Sequence, residues 1–307
     1  MSLQPVPADP RLSAARRGGA LFLGVSGVVA LGFASAWTAL FPALPQDLAG
    51  AADLDPQAEH VRIEVAPRDS IDGWYLPGSN GSTLLMFHGY GRRHDRMWRY
   101  ARFLRPDGYG VLAVDFRSSR ATDRKPTTLG AYEVPDAEAA LAWLERRAPA
   151  DRIGLFGESL GGAVALTLAA GHPEVVAVVA DCPFASGTLA IEESSERWLH
   201  LPRALTAPMA RQLGRVVSGH DPGALDVVPA AAALRDRPLF FVACECDNRF
   251  SLAQSRSLWH AAGEKDTLWV VPGAGHNEAW LRNRERYERS VLEFYALHLR
   301  PRAVPAS

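Results

Sequence analysis

Along most of this chain the apolar residues come in short runs, separated by longer stretches in which they recur every three or four positions. Runs at Val61–Val65, Gly73–Leu76, Thr83–His88, Gly110–Asp115, Arg152–Phe156, Val175–Asp181, Leu239–Ala243 and Thr267–Val271 are predicted strands. The first two lie close enough to pair as a hairpin. The later ones are apolar almost throughout and rich in β-branched residues, the pattern of strands buried on both faces. Helical spacing covers Met97–Leu104, Leu129–Arg147, Leu160–Ala170, Leu252–Ala262 and Arg284–Leu299. In the second of these, Ala137, Leu141 and Leu144 line one side, Glu138, Glu145 and Arg146 fall elsewhere, and Pro149 ends the pattern. Such alternation predicts an α/β fold, a mostly parallel eight-stranded sheet with helices on both faces. The amphipathic stretch between the sixth and seventh strands, about residues 185–233, predicts a small helical cap.

One segment departs from the pattern. Ala20–Phe41 is uncharged and mainly apolar, long enough to cross a bilayer core of roughly 30 Å as a helix. Arg11, Arg16 and Arg17 precede it, and Asp47, Asp53 and Asp55 follow. The positive-inside rule keeps a tail of residues 1–19 in the cytoplasm and predicts a single-pass membrane protein with the folded part on the other side. The triplet Ala34-Ser35-Ala36 leaves open export after signal cleavage, and a buried core helix is a third reading. Residues 42–60 read as a linker, 61–300 as the folded domain and 301–307 as a C-terminal tail.

Composition narrows the classes further. The 307 residues are 48% hydrophobic and 22% charged with a net charge of −1, enough to bury a sizeable core and too balanced for a general nucleic-acid binder. Three cysteines cannot make a disulfide scaffold, and no Cys/His spacing resembles a structural zinc site. Neighbouring strand ends could still bring Cys182 near Cys244 or Cys246. Lysine occurs only at Lys125 and Lys265, which reads as coding bias. Arg96, Arg99, Arg102 and Arg105 recur at three-residue spacing and read as a solvated helix face, with attraction of an anionic substrate or lipid headgroups as the alternative.

The chemistry concentrates at Gly157-Glu158-Ser159-Leu160-Gly161-Gly162, between the strand Arg152–Phe156 and the helix from Leu160. A serine at the tip of a sharp strand-to-helix turn needs small neighbours two residues away on each side, which Gly157 and Gly161 supply. The turn lifts Ser159 above the sheet edge, and the helix N-terminus puts positive potential where an oxyanion would form.

In this order of strand, motif and helix the chain resembles the α/β-hydrolase superfamily, over about residues 61–300. Leu84-Leu85-Met86-Phe87-His88-Gly89-Tyr90-Gly91 is similar to that family's strand and His-Gly oxyanion loop, and Gly108 to Arg117 to its next strand and turn. The subgroup most resembled is that of membrane-anchored bacterial hydrolases similar to serine aminopeptidase and monoacylglycerol-lipase-like proteins. The resemblance implies the chain order nucleophile, acid, base. Of nine histidines, His276 follows the final strand in a Gly-rich loop and is the expected base. Asp247, in Cys244-Glu245-Cys246-Asp247-Asn248-Arg249-Phe250-Ser251, is the expected acid, with Glu245 and Asp181 as rivals. Family geometry implies an oxyanion hole from the backbone N–H groups of Tyr90 and Leu160, with His88 shaping the loop. The expectation is a serine esterase acting on a small-molecule acyl substrate, lipid-like esters included. No cofactor or metal is expected. A peptidase of the aminopeptidase-like branch and a non-catalytic binding scaffold are the alternatives.

Overall fold

The computed structural model describes residues 32–44, 55–120, 124–198, 202–265 and 267–299, together with residues 27, 30 and 200. Eight strands form one sheet: β1 (Glu59–Ala66), β2 (Asp69–Leu76), β3 (Ser82–Phe87), β4 (Gly110–Val114), β5 (Arg152–Glu158), β6 (Val175–Asp181), β7 (Leu239–Cys244) and β8 (Thr267–Val271). Their order is β1-β2-β4-β3-β5-β6-β7-β8. β1 and β2 form the antiparallel hairpin at one edge, β2 runs antiparallel to β4, and the remaining pairs are parallel. Every residue of β3, β4 and β7 is buried, whereas β1 alternates between exposed and buried positions from His60 to Glu64. The difference follows from covering the central strands on both faces and the edge on one.

Two helical layers provide that cover. On one face lie α2 (Glu133–Arg147), α3 (Leu160–Gly171), α6 (Val228–Ala233) and α7 (Leu252–Ala261), packing Leu141, Leu144, Val164, Leu168 and Leu258 onto Leu85, Leu155 and Phe241. On the other lie α1 (Asp95–Leu104) and α9 (Arg284–His298), bringing Trp98, Tyr100, Tyr287 and Tyr295 against Met86, Phe156 and Val179. α4 (Gly187–Glu193) and α5 (Arg203–Ser218) stand between β6 and β7, and α8 (Ala279–Arg282) precedes α9.

α2 begins at Glu133, four residues after the predicted start at Leu129. The buried Glu133 carboxylate captures the preceding loop, accepting from the Thr127 and Thr128 hydroxyls and from the N–H groups of Thr128 and Gly130. A helix through Leu129, which sits at φ 52°, would forfeit those bonds.

The spanning helix expected over Ala20–Phe41 takes a different form where it is described. Among the described residues no helix is long and apolar enough to cross a membrane. Residues 32–40 are helical and lie on the folded domain, with Ala36 and Leu40 buried and Phe33 and Trp37 exposed on the opposite side. Most of residues 20–31, the tails 1–19 and 301–307, and most of the 42–60 linker lie outside the described residues.

The sheet order also says where a site should form. β4 lies on one side of β3 and β5 on the other, so the chain reverses its direction of travel there. A crevice opens beyond the carboxyl ends of strands at such a switch point. The loop after β3 carries His88, Gly89 and Tyr90, and the turn after β5 carries Ser159.

Candidate active site

Ser159 occupies the turn between β5 and α3 at φ 56° and ψ −114°, a strained conformation for a non-glycine residue. The turn exists because its flanks are bare. A Cβ on Gly157 would stand 2.1 Å from the Gly161 carbonyl oxygen, and one on Gly161 would stand 2.1 Å from that of Phe87. Behind the turn, the Ser159 N–H donates to the Asp181 carbonyl at 2.7 Å, tying it to β6.

The loop after β8 brings His276 over this turn. Its Nε2 lies 2.9 Å from Ser159 Oγ and its Nδ1 lies 2.6 Å from Asp247 Oδ2. An ionised Asp247 can only accept, so Nδ1 carries the proton and Nε2 is left to accept from the serine hydroxyl. The second carboxylate oxygen of Asp247 accepts from the N–H groups of Arg249 at 2.7 Å and Phe250 at 2.9 Å. Those bonds fix the carboxylate, and the Phe250 ring meets the imidazole edge-on at 5.0 Å. The rival acids point elsewhere: Asp181 accepts from the Tyr287 hydroxyl at 2.8 Å, and Glu245 from the Gly273 N–H at 2.9 Å.

The predicted oxyanion donors lie beside Ser159. Leu160 is the first residue of α3, so its N–H has no acceptor within the helix. A Cβ on Gly89 would stand 3.3 Å from the Ser159 Cβ, which measures how closely the Tyr90 loop passes. His88 holds that loop: Nδ1–H donates to the Gly89 carbonyl at 2.8 Å while Nε2 accepts from the Phe116 N–H at 3.2 Å. Burial pushes the His88 pKa down, which keeps the imidazole neutral as this donor–acceptor pattern requires.

Arg96 has a role that the sequence reading missed. It makes paired hydrogen bonds of 2.7–3.0 Å to the fully buried Glu158 carboxylate and donates to the carbonyl of Asn277 at 3.3 Å. One guanidinium thus bridges the residue before Ser159 and the residue after His276. The signal was present in Glu158, a carboxylate closing an apolar strand that calls for a cation. Asp181 lies in the same network, and burial together with the Glu158 charge pushes its pKa up to about 7.

Cys182 and Cys244 are free thiols with their sulfurs 3.2 Å apart, and Cys246 is exposed. Cys182, Asp247 and His276 place three metal-ligand atoms within 4.8 Å of one another, although Asp247 and His276 already bond each other.

Ser159 borders two recesses. One encloses about 900 Å³ including its mouth, with Leu160, Phe184, Ile191 and Phe250 among its mainly apolar lining. The other, about 680 Å³, is polar and bounded by Arg92, Arg249, His276, Asn277 and Glu278.

Comparison with known proteins agrees with this architecture. The family described as alpha/beta hydrolase fold matches residues 82–207. An uncharacterized protein of Mycobacterium tuberculosis is 30% identical over 239 residues, spanning 74% of this chain and 75% of its own. Among solved structures, a Pyrococcus furiosus esterase superposes with a TM-score of 0.68 at 23% identity, covering 84% of this chain and 98% of that one. A Pyrococcus horikoshii acylaminoacyl peptidase does so with a TM-score of 0.62 at 15% identity, covering 85% of this chain and 46% of that one.

Proposed function

The chain belongs to the α/β-hydrolase superfamily, and from that premise we propose that it is a serine hydrolase cleaving carboxylic esters through an acyl-enzyme. One observation carries the reading: the His276 imidazole bridges Ser159 Oγ and Asp247 Oδ2 at hydrogen-bond distance on both sides. As Oγ attacks the acyl carbonyl, its proton passes to Nε2, and Asp247 stabilises the imidazolium and holds its tautomer. The Leu160 and Tyr90 N–H groups receive the oxyanion, a contribution on the order of 3 kcal/mol for each such donor. Collapse expels the alcohol, which takes the proton from Nε2. Water then repeats the sequence on the acyl-enzyme, with His276 as base.

The two recesses favour an ester with an apolar acyl group. The apolar one suits the acyl chain and the polar one suits the departing alcohol. The peptidase reading draws on the same machinery, with fold likeness as its support. A stopped-flow assay separates the readings. An ester reporter such as p-nitrophenyl butyrate should give a burst of one alcohol per enzyme followed by turnover. Absence of a burst, with cleavage of aminoacyl p-nitroanilides instead, would transfer the reading to a peptidase.

Membrane attachment of the chain, with the catalytic domain on the non-cytoplasmic side, is part of the same proposal, although a span over all of residues 20–41 is not, because residues 32–40 lie on the folded domain. It is supported by the uncharged run and the arginines before it. Release of the full chain from membranes by alkaline carbonate would contradict it.

A further inference from the structure

The apolar cavity beside Ser159 has an unexpected wall. Gly32, Ser35, Ala36, Ala39 and Leu40 line it from the helical segment ahead of the hydrolase fold. Spacing by three and four residues puts these side chains on one helix face. Four of the five are small, and Ala36 is only 3% exposed. The segment is held in place at three points. Tyr90 donates its hydroxyl to the Ala39 carbonyl at 2.7 Å, and the Thr127 N–H donates to that of Leu40 at 2.9 Å. At the far end Met209 of α5 packs on the bare backbone of Gly32, where a Cβ would come within 2.5 Å of the sulfur. The residue whose N–H is assigned to the oxyanion thus also clamps this helix through its side chain.

We infer that residues 32–40 are a specificity element of the active site, and that their small side chains keep open an acyl channel for long, unbranched acyl groups. The inference rests on the serine-hydrolase reading and narrows its substrate class. The canonical parts of the fold supply the cavity's floor and the α4–α5 side. Residues 32–40 supply a wall on which bulk is missing. The lining joins Ser159 and Leu160 to Ala36, Ile191 and Ala210 in an almost wholly apolar surface, against which an extended chain can make methylene contacts. Each methylene so buried is worth about fourfold in binding. A wall of larger side chains would cap that gain after a few carbons. Phe33 and Trp37, on the outer side of the same helix, play no part in the channel.

The test is an acyl-chain profile of the full-length protein on p-nitrophenyl esters from C4 to C16. The wild type should retain or gain kcat/KM as the chain lengthens. Ala36→Phe should lower the ratio of C12 to C4 kcat/KM at least tenfold, and Ser35→Leu, a smaller intrusion, should lower it less. Trp37→Ala should leave the profile unchanged. Fluorophosphonate labelling of each variant shows that it is folded and competent. A labelled wild type that declines beyond C4, or a labelled Ala36→Phe and Ser35→Leu with the wild-type ratio, overturns the channel and leaves the hydrolase reading standing. A wild type that takes no label overturns both.

Discussion

Ser159 stands between two regions made in different ways. On the sheet side, Gly157 and Gly161 face backbone atoms that an added Cβ would strike at 2.1 Å, and Glu158, Asp181 and Arg96 form a buried charged network behind them. On the cavity side, Ser35, Ala36 and Ala39 border open space. In the first region position is dictated by main chain and paired charge, so the reacting atoms have one arrangement. In the second it is dictated by side-chain volume, which can change without moving the nucleophile. On the proposed reading, chemistry and choice of substrate are therefore encoded separately, although a single residue, Tyr90, touches both.

Three substitutions on the sheet side probe that contrast, in descending order of effect. His276→Ala should lower kcat about 10⁴-fold or more on every ester alike, with the melting temperature close to wild type. A selective loss on long chains alone would blur the division between the two regions. Arg96→Leu leaves the Glu158 carboxylate buried without its partner, and chemical denaturation should register a loss of about 3–5 kcal/mol. Unchanged stability would remove the ion pair from the frame behind the turn.

Asp181→Asn is the mildest and is read through pH. Burial and the nearby Glu158 charge raise the native pKa of Asp181 to about 7, above the value of about 4 for an unfolded chain. Between those values the native state holds a proton that the unfolded state has lost, so this group's contribution to stability falls as pH rises from about 4 to about 7. The asparagine variant lacks that slope. Its stability relative to wild type should therefore increase across this window and level off above it, as followed by denaturation midpoints. Parallel curves for the two proteins would place the titration elsewhere.

Much of this was legible in the sequence for identifiable reasons. Buried parallel strands write themselves as continuous apolar runs, and the turn at Ser159 demands glycines at fixed offsets. Asp247 and His276, expected from chain order, meet Ser159 in one hydrogen-bonded row. Other features depend on partners far away in the chain. Arg96 finds Glu158 across 62 residues, so three-residue arginine spacing could only suggest a solvated face. The loop ahead of α2 is held by one carboxylate that helical periodicity cannot see. Residues 32–40 show the same limit, because an uncharged apolar run reads alike whether lipid or protein covers it. The clue was Gly32, whose bare backbone admits a close neighbour, here Met209.

The proposed nucleophilic role of Ser159 is decided by intact-mass and peptide-level mass spectrometry after fluorophosphonate treatment. One adduct per chain is expected, on the peptide carrying Ser159, and none on Ser159→Ala. An adduct on a different residue, or equal labelling of wild type and Ser159→Ala, would contradict it.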